Sequence, residues 1–143
     1  MMLYVNGSDI GRLVLGVLND DRSVFIVAPT TIESSPEQFL AKVDTFLLVH
    51  FPTIDTRQSS SLTGIVTILG PGSATALRTS LTMVNAMAFA KHVPVFGVEL
   101  APGADDYATL VHLHGVGAIP MARPVYAYPA KITVSTKDAL GRR

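Results

Sequence analysis

Residues 64–78 read GIVTILGPGSATALR, and this stretch decides the fold of the chain. Its first six residues form an apolar run that predicts a buried strand. The Gly-Pro-Gly-Ser of residues 70–73 ends that strand sharply, and a helix is predicted from about residue 75 to residue 91. Residues 94–98 then predict another strand. Strand, tight turn, helix and strand together are typical of a crossover unit that adds a parallel strand to a sheet.

Three short apolar runs precede this unit. They occupy residues 3–5, 12–18 and 23–28, and polar turns separate them, so they predict an antiparallel meander. Residues 35–38 read SPEQ, which combines a capping Ser, a Pro at the first helical position and a Gln. The helix that starts there is predicted to reach His50. The order β-β-β-α-β-α-β predicts an α/β fold with a mixed five-stranded sheet.

The composition narrows the classes of function. Hydrophobic residues make up 48% of the 143 residues and charged residues 15%, which is typical of a globular chain and argues against disorder. The formal net charge is +0, so we expect no direct binding of nucleic acid, which relies on a basic excess. The absence of Cys excludes disulfides and thiol catalysis. With no secretory signal or membrane-spanning run in the sequence, we expect a cytoplasmic location.

The turn and helix carry a resemblance to a known family. The residues 70–78, GPGSATALR, followed by PVFGV at residues 94–98, resemble the signature of the TsaB (YeaZ) family, GPGSFTGLR, a long helix and a strand that reads about P-L-V-G-V. Two positions depart from it, because Ala74 stands for Phe and Ala76 for the second Gly. The first strand also departs, since it reads Asn-Gly-Ser at residues 6–8 where the family has Asp-Thr-Ser.

This resemblance implies a fold and a role. Residues 1–100 would form an actin-like ATPase (ribonuclease H-like) lobe, and residues 101–143 a truncated second-lobe remnant or an extension. Family members are non-catalytic partners of the catalytic TsaD-type subunit in threonylcarbamoyladenosine modification of transfer RNA at position 37, with a TsaE-type ATPase as a further partner. The chain would therefore be no enzyme and would need no cofactor of its own, except for ATP or ADP at a partner interface.

Four residues form a candidate phosphate-loop remnant. They are Asn6, Gly70, Gly72 and Ser73. Helix starts after glycine-rich turns attract anions, so a nucleotide-binding remnant is an alternative hypothesis, and a plain tight turn is another. Asn6 is neutral where ATPases of this fold carry an acid, and a hard cation prefers carboxylate oxygens, so we expect no independent ATP hydrolysis.

The second helix has two apolar stripes, which predicts burial on two sides. One stripe can pack on the sheet, and the other is predicted to dock on a TsaD-type subunit or on a second copy. The predicted interface consists of Leu77, Arg78, Leu81, Met83, Val84 and Met87. Two alternatives stay open: the carboxy-terminal segment folds back over the second stripe, or the chain is a self-associating module, a homodimer without the tRNA role.

Two further pairs invite a chemical interpretation. His112 and His114 share a spacing that could bind metal on a strand, but no supporting ligand follows the pattern, so we predict surface histidines. Asp105 and Asp106 fit the first turn of a helix better than a catalytic pair. The sequence predicts neither a catalytic nor a metal site.

Overall fold

The computed structural model describes residues 1–51, 62–101 and 103–126. The strands are β1 (Met2–Asp9), β2 (Arg12–Leu18), β3 (Phe25–Glu33), β4 (Gly64–Gly70) and β5 (Val95–Glu99). The helices are α1 (Phe39–His50), α2 (Ala74–Lys91) and the short α3 (Thr109–Leu113). Single 3-10 turns, Pro36–Gln38 and Asp106–Ala108, lead into α1 and α3.

The five strands form one mixed sheet in the order β3-β2-β1-β4-β5. β2 is antiparallel to both β1 and β3, whereas β4 is parallel to β1 and β5 is parallel to β4. The central strand β1 therefore joins the meander to the two crossover units. The predicted α/β fold with a mixed five-stranded sheet and the order β-β-β-α-β-α-β is confirmed.

Two buried clusters lie on opposite faces of this sheet, because successive side chains of a strand alternate between its faces. The first contains Leu3 and Val5 of β1 together with Phe39 of α1 and Leu81 of α2. The second contains Tyr4 of β1 and residues of the segment after β5, such as Leu113. α1 and α2 thus cover one face, and the 3-10 turn with α3 covers part of the other.

Two strands are longer than the sequence predicts. Residues 6–8, which predict a turn, belong to β1, because the pairing with β2 continues past Val5: Asn6 lies opposite Val14 and Asp9 opposite Arg12. β3 continues past residue 28 to Glu33, which pairs with Arg12. Pro29 is tolerated within β3 because an edge strand can spare one backbone N–H group.

The segment after β5 returns to the lobe. Leu113 is buried in the second cluster and Ala122 in the first. The division of the chain near residue 100 stays a prediction. The sequence also predicts short strands at residues 125–128 and 131–135; residues 125–126 are irregular, and the others lie outside the described residues. Within the described ranges, no helix is long and apolar enough to cross a bilayer.

Candidate functional site

A cleft of about 720 Å³ opens where β1, β4 and β5 end. The carboxyl ends of strands are the usual ligand-binding edge of open α/β sheets. Its walls come from the first hairpin, from the turn after β4 and from the segment after β5. The lining residues are Asn6, Ser8, Asp9, Ile10, Arg12, Val14, Thr31, Pro71, Gly72, Ser73, Leu100, Ala101, Gly103, Ala104, Asp105 and Asp106.

The turn between β4 and α2 is held tightly against β1. The Ser73 backbone N–H group donates to the Ser8 carbonyl oxygen at 2.8 Å. A Cβ atom on Gly72 would lie 2.4 Å from that same carbonyl oxygen, so only glycine fits there. The Ser73 hydroxyl oxygen accepts from the Ala76 N–H group and caps α2, as its place in the sequence predicts.

Three of the four predicted phosphate-loop residues meet in this cleft. Asn6, Gly72 and Ser73 line it, whereas Gly70 does not. Gly70 has φ +131°, a backbone conformation that favours glycine, and it packs against the backbone of Val125. Its role is therefore to shape the turn and not to contact a ligand.

Asp106 is the cleft residue that the sequence did not predict. One of its carboxylate oxygens, Oδ1, accepts from the Tyr4 hydroxyl at 2.7 Å and from the Asn6 Nδ2 group at 2.8 Å. Asn6 Oδ1 accepts in turn from the Ser8 hydroxyl at 2.7 Å. Burial and the hydrogen bond to Asp106 raise the pKa of Tyr4 far above its ordinary value, so this phenol stays a donor.

The two neighbouring aspartates have different roles. Asp105 accepts from the Tyr107 N–H group at 3.0 Å and caps the 3-10 turn Asp106–Ala108, whereas the sequence placed it in the first turn of a helix. Asp106 instead turns toward β1, across a sequence separation of 100 residues from Asn6. No local sequence pattern links positions that far apart, so the contact between Asn6 and Asp106 could not be predicted from the sequence.

The cleft is lined mostly by neutral and acidic residues. Asp9, Asp105 and Asp106 are its acids, and Arg12, the one cation among the described residues that line it, is paired with Asp9 at 3.2 Å between Nε and Oδ2. In residues 1–51, 62–101 and 103–126, no three His, Cys, Asp or Glu side chains are grouped to hold a metal ion. Asn6, fixed by its hydrogen bonds, presents an uncharged amide to the cleft.

Most of the residues predicted for the interface of α2 are buried. Leu77, Leu81, Met83 and Val84 are buried in the core, and even Met83 is only 9% exposed. These four side chains hold α2 on the sheet, so in this lobe they can support the predicted interface from within. Their direct contact with a partner stays a prediction. Of the six predicted interface residues, Arg78 is exposed and Met87 is half-buried.

The second apolar stripe of α2 is only partly used inside the lobe; it consists of Ala76, Met83, Ala86, Met87 and Ala90. Ala76 and Met83 belong to the same buried cluster as Val43 and Phe46 of α1. In the rest of the stripe, Met87 is half-buried and both alanines are exposed. Sequence periodicity could not distinguish a neighbouring helix of the same chain from a partner.

The carboxy-terminal segment does fold back over α2, but along the other flank. We call residues 119–126 the strap. The Asn85 side chain makes two hydrogen bonds with the backbone of Ala122, donating to its carbonyl at 2.9 Å and accepting from its N–H group at 2.8 Å. Asn85 projects about 160° around the helix from Met83, so the strap lies opposite the stripe that it was expected to cover.

The solvent-facing side of the two helices carries large apolar side chains. Phe89 of α2 is 84% exposed, and Leu48 and Val49 of α1 are 81% and 66% exposed. α1 and α2 both return from a strand end to the start of a parallel strand, so their carboxyl ends lie at one edge of the sheet. We call Leu48, Val49, Phe89 and Arg78 the outer helix face. His112 and His114 are exposed on the segment after β5, as predicted.

Comparisons with known proteins support the fold. YeaZ from Pseudomonas aeruginosa matches with a TM-score of 0.52 and 21% identity over 68% of this chain. An uncharacterized protein with similarity to peptidase YeaZ from Pseudomonas aeruginosa matches with a TM-score of 0.50 and 19% identity over 68% of this chain. The chain spans 42% of the length of each of these proteins.

A third solved structure, T. thermophilus RuvC in complex with Holliday junction substrate, has a TM-score of 0.43 and 18% identity, covering 69% of this chain and 65% of that one. No protein-family model and no curated protein matches the chain. The structure and the two YeaZ matches thus establish a YeaZ-like α/β fold, of the type predicted from the sequence.

Proposed function

We propose that this chain is a non-catalytic scaffold that docks on a TsaD-type catalytic subunit during threonylcarbamoyladenosine modification of transfer RNA in the cytoplasm. The YeaZ-like fold and the Gly-Pro-Gly-Ser turn with Leu77 and Arg78 support this proposal. The observation that carries it is the outer helix face, where Phe89 and Leu48 are more than four-fifths exposed. Exposed apolar patches mark interaction sites, and aromatic residues and Arg are enriched in protein interfaces.

The charged side chains of α2 indicate what kind of partner surface would bind it. α2 carries two charged side chains, Arg78 and Lys91, both exposed, and no acidic residue from Ala74 to Lys91. An antiparallel second copy would bring these like charges together at each end of the helix pair, which is unfavourable. A surface with an apolar centre and acidic residues at its rim complements α2 better. We therefore favour a different protein over a second copy as the occupant.

Replacement of two outer-face residues by acids tests the docking. Leu48→Glu combined with Phe89→Glu should weaken binding of the TsaD-type subunit of the same organism by at least about a hundredfold, because two anchors are lost. Val111→Glu is the matched control: this residue is 78% exposed on α3, away from the face that α1 and α2 cover. Binding is measured by titration calorimetry with purified proteins.

Three results would contradict the proposal. They are no binding by the wild-type chain, an equal loss in Val111→Glu, and full binding by the double variant. Light scattering after size exclusion distinguishes docking from self-association. A homodimer that never binds the TsaD-type protein favours a self-associating module. A TsaE-type ATPase is the further candidate for the same titration.

A nucleotide-binding remnant of the same fold is the second candidate function, and the cleft favours it. The cleft has room for a ligand, and Gly72 and Ser73 line it at the start of α2. Titration of the isolated chain with ADP should give saturable heat if this function is retained. The absence of heat at millimolar ADP would exclude it, while leaving the docking proposal intact.

A further inference from the structure

The strap is attached to the lobe at three points. The Ile119 N–H group donates to the Val95 carbonyl of β5 at 2.8 Å. Asn85 of α2 holds Ala122 by the two hydrogen bonds described above, and the Val125 N–H group donates to the Leu69 carbonyl of β4 at 2.7 Å. These bonds tie the strap to α2 and to two strands at once.

Few buried side chains hold the strap. Ala122 is its single fully buried side chain, and Ile119 packs, partly buried, against the first cluster. Met121, Arg123 and Tyr126 are exposed. Before the strap, Gly115 and Gly117 have open space where a Cβ atom would project. Segments with few buried apolar contacts open locally at a lower free energy than the core. The strap therefore has the structural character of a segment that opens without unfolding of the sheet.

The far end of the strap reaches the turn that lines the cleft. A Cβ atom on Gly70 would lie 2.1 Å from the Val125 carbonyl oxygen, so the two backbones are in close contact. Gly70 is followed directly by Pro71, Gly72 and Ser73 of the cleft wall. The strap thus contacts α2 at Asn85, beside the outer helix face, and the cleft turn at Gly70.

We propose that the strap is a conformational link between the outer helix face and the cleft. Asn85 holds the strap on α2. Release of Ala122 from Asn85 also weakens the hydrogen bond from Val125 to Leu69, and the turn after β4 then loses its contact with Val125. An event at the helix face would in this way reach Ser73. That such an event is the docking of a TsaD-type subunit rests on the proposed function; the link itself does not.

Hydrogen exchange of the isolated full chain tests the link from the α2 end. Asn85→Ala removes both bonds to Ala122 and suits a helix. We expect amide exchange at Ala122, Val125 and Ser73 to rise about tenfold, while the amides of β1 keep their wild-type rates. Thr82→Ala, at an exposed position of the same helix, is the control and should leave all of these rates unchanged.

A second variant tests the link from the cleft end. Val125→Pro removes the N–H group that bonds to Leu69, and it leaves Asn85 and Ala122 in place. Coupling is reciprocal, so exchange at Ala122 and Ser73 should rise about tenfold in this variant as well. Because the two substitutions lie in different elements, a folding defect in one leaves the other informative.

Independent behaviour of the two ends would overturn the link. The decisive result is faster exchange at Ala122 alone in Asn85→Ala, or an unchanged Ala122 rate in Val125→Pro. Neither measurement needs a partner protein. Failure of the docking titration would therefore refute the proposed function while the exchange data still decide the link.

Discussion

Gly7 and Ser80 meet where α2 crosses β1, and their contact sets how closely the helix approaches the sheet. A Cβ atom on Gly7 would lie 2.3 Å from the Ser80 Cβ atom, nearer than any real contact. The Ser80 hydroxyl donates to the Gly7 carbonyl at 3.3 Å and is fully buried. The Gly of residues 6–8 is thus needed for packing, although the sequence suggested only a turn.

Gly7→Ala should destabilise the fold by about 1–3 kcal/mol, because the new methyl group meets the backbone-anchored Cβ of a packed helix. Urea unfolding measures the loss. Gly11→Ala is the control, since its Cβ would find only Asp9 Oδ1 at 3.7 Å. The double variant Gly7→Ala/Ser80→Gly should recover part of the loss. An unchanged unfolding midpoint in the single variant would show that α2 shifts freely.

At the scale of the element, local sequence signals predicted the helices and strands, whereas contacts with distant residues decide which of their faces are buried. α2 was predicted from about residue 75 to residue 91 and runs from Ala74 to Lys91, because Ser73 and the preceding glycines mark its start in the sequence itself. The covering of its flanks depends on α1 and on the strap, which lie far away in the chain. The bounds of the helix could therefore be predicted from the sequence, whereas the burial of four of the six predicted interface residues could not.

This difference changes which substitutions test docking. Met83→Glu with Met87→Glu was the natural experiment from the sequence alone, but Met83 belongs to the buried cluster shared with α1. A carboxylate there would be desolvated, and the fold would lose stability whatever the partner did. Phe89 of α2 and Leu48 of α1 were not part of the predicted interface, and both are exposed, so substitutions there leave the core intact.

At the scale of the whole molecule, Asp20 ties three distant parts of the lobe together. Its Oδ1 atom accepts from the Met1 amino group at 2.6 Å and from the Thr63 hydroxyl at 2.6 Å. The Thr63 N–H group donates to the Met1 carbonyl at 2.8 Å. The start of β1, the turn after β2 and the approach to β4 are joined in this way.

This contact should make the stability of the lobe depend on pH in the acid range. The hydrogen bonds from the Met1 amino group and from Thr63 lower the pKa of Asp20, so its contribution is present above the unfolded pKa near 4 and is lost as pH falls through the lower folded value. Asp20→Asn should lower the melting temperature at pH 7 and flatten its decline below about pH 4.

Thermal unfolding from pH 2.5 to pH 7 measures both effects of Asp20→Asn. Asp44→Asn, at an exposed position of α1, is the matched control. If the melting temperature of Asp20→Asn declines below about pH 4 as steeply as that of the wild type, Asp20 does not stabilise the lobe through this contact.

Because β1 is central in the sheet, one of its edges stays unpaired for some time while the ribosome makes the rest of the chain. β1 is the central strand, and its Met2 pairs with Gly64 of β4. Between Glu33, where β3 ends, and Gly64, a ribosome working at about 5–20 residues per second takes roughly 2–6 seconds. During that interval the edge of β1 that pairs with β4 in the finished sheet has no partner strand. The nascent chain is therefore expected to need a chaperone most between the completion of β3 and the emergence of β4.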